Sequence, residues 1–311
     1  MKLGSLLSIA VACGATAASA TAVEPFAPVP QTLNVDPARA ALGRRLFSDV
    51  RLSRNNSMSC ASCHPVARAG ADGEARSRGL GGRLTETNAP TVLNAALNFR
   101  QFWDGRAVSL EEQVEKVVAN PVSMGSQWPD VVRKIAADKQ YRRDFAAAFD
   151  DGVSQKNIQV AIADYERTLI TPNSRFDRFL RGEQRALNAQ ELDGLQRFKL
   201  YGCAACHQGV NIGGNLYQKL GIMANYPSAT PADQGRYRLT GQAADRQVFK
   251  VPGLRNVGRT APYLHDASAK TLEEAIEAMF RYQLGRQANK EDTAAIAAFL
   301  RTLDAEPSGQ P

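Results

Sequence analysis

A chain of 311 residues with 44% hydrophobic content is long enough for two domains that each bury a core, and it is too apolar to remain disordered. The formal charge of +7 is accompanied by no aromatic-basic interleaving or binding motif, which argues against a nucleic-acid partner. Beyond the first twenty residues no apolar run approaches the length of a membrane span. Those first twenty, MKLGSLLSIAVACGATAASA, carry one lysine, an apolar stretch from Leu3 and an Ala18-Ser19-Ala20 end, the pattern of a secretory signal cleaved after Ala20. A lipoprotein reading around Cys13 ranks behind it, because the residue three before is Ala10 rather than leucine. Cleavage removes Lys2 and Cys13, which leaves a charge of +6 and four cysteines, with no spare thiol and no disulfide framework. A soluble protein of the bacterial periplasm is the expectation.

Residues 60 to 64 read CASCH and residues 203 to 207 read CAACH, so the haem-attachment pentapeptide C-x-x-C-H occurs twice. In such a site the two thiols add to the haem vinyl groups and the histidine binds the iron, leaving one axial position to the rest of the chain. Cys60, Cys63 and His64 would hold the first haem, and Cys203, Cys206 and His207 the second. A zinc or thioredoxin-like reading fails because each pair lacks further ligands. The chain has three histidines, so at most one haem can take a second one, and His265 is that histidine. Around the first motif lie Arg39, Arg44, Arg45, Arg51, Arg54, Arg68, Arg76, Arg78 and Arg83. They read either as a solvated set that neutralises haem propionates or as a docking face for an acidic partner.

Helix starts recur where a short polar residue precedes an acid by three, at Ser109 with Glu112, Asn188 with Glu191 and Thr271 with Glu274. Apolar residues at helical spacing follow in LEEQVEKVV, NIQVAIADYERTL, ELDGLQRFKL and LEEAIEAMFRYQL, and no convincing period-two run appears. GLGGR and NIGGN read as loops. An all-α fold with long loops wrapped around haem is predicted.

The chain also repeats. A shift of 162 residues lays PTVLNAALNFRQFWDGRAVSLEEQV on PGLRNVGRTAPYLHDASAKTLEEAI, so that Pro90, Asn94, Asp104, Leu110, Glu111 and Glu112 meet Pro252, Asn256, Asp266, Leu272, Glu273 and Glu274. The haem motifs are 143 residues apart, so the second copy carries a longer loop between haem and repeat. The expected organisation is a signal peptide at 1-20 and two cytochrome c-like haem domains from an internal duplication, 21-175 and 176-311, divided near TPNSRFDRF. The register sets Trp103 opposite His265 and Val117 opposite Met279. Taken alone, Met279 reads as core filler or ligand, His265 as a structural histidine or ligand, and Trp103 as core or redox residue.

The segments CASCHP, NAPTVLNAALNFRQFWDGR, SLEEQ, NPVSMG, ERTLITPNSRFD, GCAACHQG, FKVPGLRNVGRTAPYLHD and MFRYQLG resemble the bacterial di-haem cytochrome c peroxidase family, which includes the MauG-type enzymes. The resemblance runs over nearly the whole mature chain. It implies a low-potential peroxidatic haem on Cys60, Cys63 and His64 and a high-potential electron-transfer haem on Cys203, Cys206 and His207, with Met279 as sixth ligand of the second iron. Methionine-histidine ligation raises the reduction potential, in keeping with that role. It further implies Trp103 between the haems, and a calcium ion held by Asn88 and the backbone oxygens of Thr260 and Pro262.

Two family residues are missing. The loop histidine that caps the resting peroxidatic haem in many members would fall sixteen residues after His64, where this chain has Leu80. Gln113 is kept on the distal side, but ten residues later Ser123 stands where NPVEMG would place a glutamate. The implied activity is reduction of hydrogen peroxide with electrons from a small cytochrome c or cupredoxin, relayed from the C-terminal to the N-terminal haem. The alternatives are a MauG-like enzyme that oxidises a protein or organic substrate, and an electron-transfer or sensing cytochrome. A homodimer is compatible with the resemblance.

Overall fold

The computed structural model describes residues 24–227 and 234–307; the signal segment expected at 1–20 lies outside them. Ten helices appear among the described residues, joined by long irregular loops. The four sequence-predicted helices form as α2 (Leu110–Ala119), α5 (Gln155–Thr168), α7 (Ala189–Leu200) and α9 (Leu272–Gln283). Their N-termini are capped where the sequence places the caps. Asn188 and Thr271 each accept from the backbone N–H three residues on while that residue's carboxylate accepts in return, a full capping box. At α2 the Ser109 hydroxyl accepts from Glu112 N–H, but the Glu112 carboxylate reaches past Ser109 to the Val108 N–H at 2.6 Å.

Two helix crossings organise two cores. In the first half α1 (Pro37–Phe47), which starts on an Asp36 cap with proline at its first position, crosses α5. Gly43 makes the approach feasible, because a Cβ there would lie 1.8 Å from the Ala161 carbonyl oxygen. Leu46, Phe47, Ile158 and Ile162 bury at that crossing, together with Val131 and Ile135 of α3 (Trp128–Ala137) and Phe145 of α4 (Lys139–Ala148). In the second half α7 crosses α10 (Lys290–Arg301) over Gly194, whose Cβ would lie 1.9 Å from the Ala295 carbonyl oxygen. Phe198, Ile296, Phe299 and Leu303 pack there with Phe280 of α9 and Phe176 of α6 (Arg175–Leu180).

Local geometry recurs at the repeat's own spacing. Asn94 and Asn256 both sit in the left-handed region, at φ 60° and 61°, and each opens a short 3-10 turn. Isolated antiparallel bridges join Gln101 to Ala107 and Tyr263 to Ala269. At the junction the Thr171 hydroxyl accepts from the side-chain amides of both asparagines, at 2.8 Å from Asn94 and 2.9 Å from Asn256. One oxygen thereby holds the matching turns of the two halves together.

Residues 26–29 pack on the second core rather than the first. Phe26 sits edge-on to Phe176 at 5.5 Å, and its backbone pairs with Gly209. A buried ion pair, Arg255 to Asp177 at 2.9 Å with both side chains fully buried, fixes this strap. Arg255 donates to the Ala27 carbonyl at 3.0 Å, and Asp177 accepts from the Val29 N–H at 2.9 Å.

The one departure from an all-α reading among the described residues is a ribbon of β1 (Tyr217–Lys219) and β2 (Val248–Lys250), antiparallel with Tyr217 opposite Lys250. Three residues per strand are too few to show a period of two. Of the arginines around the first motif, Arg45 pairs with Asp144, and Arg51 with Asp49 and Asp138.

Candidate functional site

Each C-x-x-C-H motif opens a tight turn in which the histidine N–H bonds back to the first cysteine's carbonyl, at 3.0 Å for His64 and 2.9 Å for His207. Each turn faces a cavity. The first is about 480 Å³ and is lined by Cys60, Cys63, His64, Trp103, Gln113 and Ser123. The second, about 320 Å³, is lined by Cys203, Cys206, His207, His265, Met279 and Trp103. Both volumes fall in the range of cofactor pockets. The four cysteines are unbridged, and burial pushes the Cys203 thiol up to about 11.

The side chains fit haem at both places. His64 Nδ1 lies 3.1 Å from the Gly70 carbonyl oxygen, which can only accept, so the proton is on Nδ1 and the Nε2 lone pair remains for a metal. Burial lowers the His64 pKa and takes that of His207 to about 4, keeping both imidazoles neutral. The carbonyls of Pro90 and Pro252, matched residues of the repeat, stand beside the two rings. Lys250, buried along the second cavity, is lowered to about 8 by desolvation, with no carboxylate among the described residues offsetting it. The carboxylates of a haem would supply that missing charge.

Trp103 lines both cavities. Its indole Nε1 donates to the Asn88 carbonyl at 2.9 Å, and its own carbonyl accepts from Lys250 N–H at 2.8 Å. The residue is thereby pinned between the first-half loop and β2. His265, opposite it in the repeat, lies in the aromatic cluster next door, 4.3 Å from Phe249, 5.9 Å from Tyr226 and 6.3 Å from Trp103 between ring centres. Its backbone carbonyl accepts from Asn88 N–H at 2.8 Å. Met279 projects from the middle of α9 beside the same cluster. Asn88 lines both cavities, and Thr260 and Pro262 line the second. The Asn88 amide nitrogen donates to the Glu74 carbonyl at 2.9 Å, which leaves its oxygen as the end available to a cation.

Leu80 is buried and is absent from the wall of the first cavity. Its N–H bonds to the carbonyls of Val122 and Ser123, at 3.0 and 2.9 Å, and its side chain rests against Gly125, where a Cβ would lie 2.6 Å from Leu80 Cδ2. His64 is the only histidine on that wall.

A family model, di-haem cytochrome c peroxidase, matches residues 37–185. The cytochrome c551 peroxidase of Nitrosomonas europaea is 45% identical over 301 residues, covering 96% of this chain and 90% of that protein. The chain belongs to the di-haem cytochrome c peroxidase family. Members are oxidoreductases that carry two c-type haems. The cytochrome c peroxidase Ccp of Escherichia coli (strain K12) is 44% identical over 284 residues, 90% of this chain, and the chain spans 61% of that longer protein. Among solved structures, a MauG-like protein associated with microbial copper homeostasis superposes with a TM-score of 0.77 at 30% identity, covering 91% of this chain and 93% of that one.

A buried acid on the wall of the first cavity escaped the sequence reading. Glu166 on α5 is 4% exposed and lines the first cavity. Its Oε2 has no hydrogen-bond partner, and burial raises its pKa to about 8. In sequence it is one more acid on an amphipathic helix, followed by an arginine, and nothing in the pattern announces that it is buried.

Proposed function

We propose that the protein reduces hydrogen peroxide in the first cavity with electrons that enter at the second, and that Trp103 lies on the path between them. The observation that carries this reading is one indole shared by the walls of two cavities, each lined by a C-x-x-C-H motif. Bound haem would supply the redox-active iron in each cavity. His64 and His207 would hold the two irons, and Met279, at the middle of α9, would take the sixth position of the second. Gln113 and Ser123 would orient peroxide and water, although a hydroxyl is a poor base. Calcium held by Asn88, Thr260 and Pro262 would brace the wall on which Trp103 is hung. A small cytochrome c or cupredoxin in the periplasm would donate the electrons. The recurring asparagine turns, bridges and glycine crossings support an internal duplication, with a boundary at 175/176 next to Thr171 and residues 26–29 reaching across it.

Because Leu80 is turned away from the first cavity and no second histidine lines it, the oxidised holoprotein should hold one haem in the high-spin state beside one low-spin haem, without prior reduction. Stopped-flow mixing of the as-isolated holoprotein with peroxide, followed at the Soret band, should give an immediate change and then turnover with donor. Two low-spin haems, or no reaction before reduction, would refute this reading. Trp103→Phe should leave the first peroxide reaction intact and slow electron delivery to the first cavity about tenfold or more, equivalent to ~1.4 kcal/mol of barrier; single-turnover kinetics separates the two.

Ser123 favours a second reading, oxidation of a protein or organic substrate in the MauG manner, since weak proton handling is better matched to a long-lived oxidised state than to fast turnover. Persistence of the peroxide-generated spectrum for many turnover times without donor would select it.

A further inference from the structure

We propose that Glu166 is the proton-exchanging group of the first cavity, standing in for the carboxylate absent at position 123. Three observations place it there. First, α5 is tied to α2, the helix that carries Gln113. Arg167, the next residue, bonds to Glu111 of α2 at 2.6 Å, and Ala163, one turn earlier, packs with Ala95 and Leu110. Leu110 and Gln113 are one turn apart on α2, so Glu166 enters the cavity from the side that also carries the distal glutamine.

Second, the carboxyl is almost fully buried and its Oε2 lacks a partner, whereas the neighbouring acids Glu111 and Asp164 are spent on Arg167. A buried polar group left unpaired is destabilising, so the cavity keeps this one at the expense of stability. Third, the duplicate half does without it. The α10 residue that follows Gly194's partner Ala295 by the interval separating Glu166 from Gly43's partner Ala161 is Leu300, which is buried and lines the second cavity. An electron-transfer cavity has no proton to move.

The charged groups facing Glu166 are few. Glu111 of α2 opposes its ionisation, Arg167 on its own helix favours it, and Cys60 on the motif turn, whose sulfur would be bonded to haem, adds no charge. From α1, Arg44 acts on Tyr165, and α1 and α3 otherwise meet α5 through apolar core side chains. Burial is the dominant influence and keeps the group protonated until about pH 8.

In peroxide reduction the Glu166 carboxylate takes the proton from one peroxide oxygen and gives it to the other. The O–O bond breaks and that second oxygen leaves as water. Two electrons from the donor protein and two protons from solvent convert the remaining oxygen to the second water. The peroxide part rests on the function proposed above, but proton exchange with an acidic ligand does not. Hydrogen cyanide must also lose a proton on binding at a haem iron, so cyanide association probes the same group without turnover.

In the wild-type holoprotein both the cyanide association rate and the peroxide reaction rate should rise as pH increases through about 8, where Glu166 becomes a base. Glu166→Gln should slow both by about 10²-fold or more and remove the rise. Glu166→Asp should keep a weakened rise. Glu166→Gln with Ser123→Glu should recover part of the rate, with the rise moved to lower pH because position 123 is only half-buried. Haem content and circular dichroism report folding of each variant. Cyanide behaviour as described without peroxide turnover in the wild type supports the role of Glu166 and sinks the peroxidase reading. A Glu166→Gln protein that folds, loads haem and keeps wild-type rates and pH profile overturns the inference.

Discussion

Met279→Ala is expected to remove the low-spin signature of the second haem and to lower its reduction potential by on the order of 100 mV, a modest part of the ~0.8 V that axial ligands span. Methionine favours the reduced iron, so its loss leaves an open or water-filled position of lower potential. Delivery from a donor protein should then fail even though the first cavity is untouched. His265→Ala should leave the low-spin signature in place, because His265 is held among Phe249, Tyr226 and Trp103 and its backbone is bound to Asn88. Magnetic circular dichroism and a redox titration of each variant decide the matter. An unchanged spectrum in Met279→Ala together with a lost low-spin signal in His265→Ala would reverse the assignment.

The largest loss of stability should come from Asp177, which lines neither cavity itself but holds Arg255 on the wall of the second. Asp177→Asn would leave Arg255 charged, fully buried and without its ion-pair partner, and would weaken the contacts that the Asp177 carboxylate accepts from the Val29 N–H and from the N–H and hydroxyl of Ser174. Breaking a buried pair in this way costs about 3–5 kcal/mol. Removing both charges with Asp177→Leu and Arg255→Met should cost much less than the sum of the single changes, since desolvation of the pair is relieved as its attraction is lost. Urea unfolding of the four proteins gives the coupling directly. A single Asp177→Asn variant within 1 kcal/mol of wild type would show that solvent already reaches Arg255.

What was legible in the sequence is what is local or periodic. The two pentapeptides, the three polar caps and four amphipathic helices depend on residues within a few positions of one another, and all of them are found in place. Trp103, Gln113 and Ser123 came from matching segments, and the structure brings them to one wall. The features that were missed depend on distant residues. Gly43 and Gly194 are unremarkable until another helix lies across them, and the β1–β2 ribbon is too short to show alternation. Glu166 and Lys250 look like surface charges, because burial is a property of what packs over them rather than of their own spacing. Leu80 could be read as the loss of a ligand, but its attachment to the Ser123 loop through backbone bonds could not.

The strap at residues 26–29 bears on the order in which the chain completes itself. Its anchors lie 148 residues away, at Asp177, and 228 residues away, at Arg255. The segment precedes α1 in the chain and therefore has no seat until the second core is present, and closing so long a loop adds an entropic barrier that local contacts cannot lower. The first core can form early from α1 to α5, but Phe26 must wait for Phe176 and Phe198. Seating of the strap marks the point at which the second core has closed, so protection of the Val29 amide in pulsed hydrogen exchange is a clock for maturation of the whole chain.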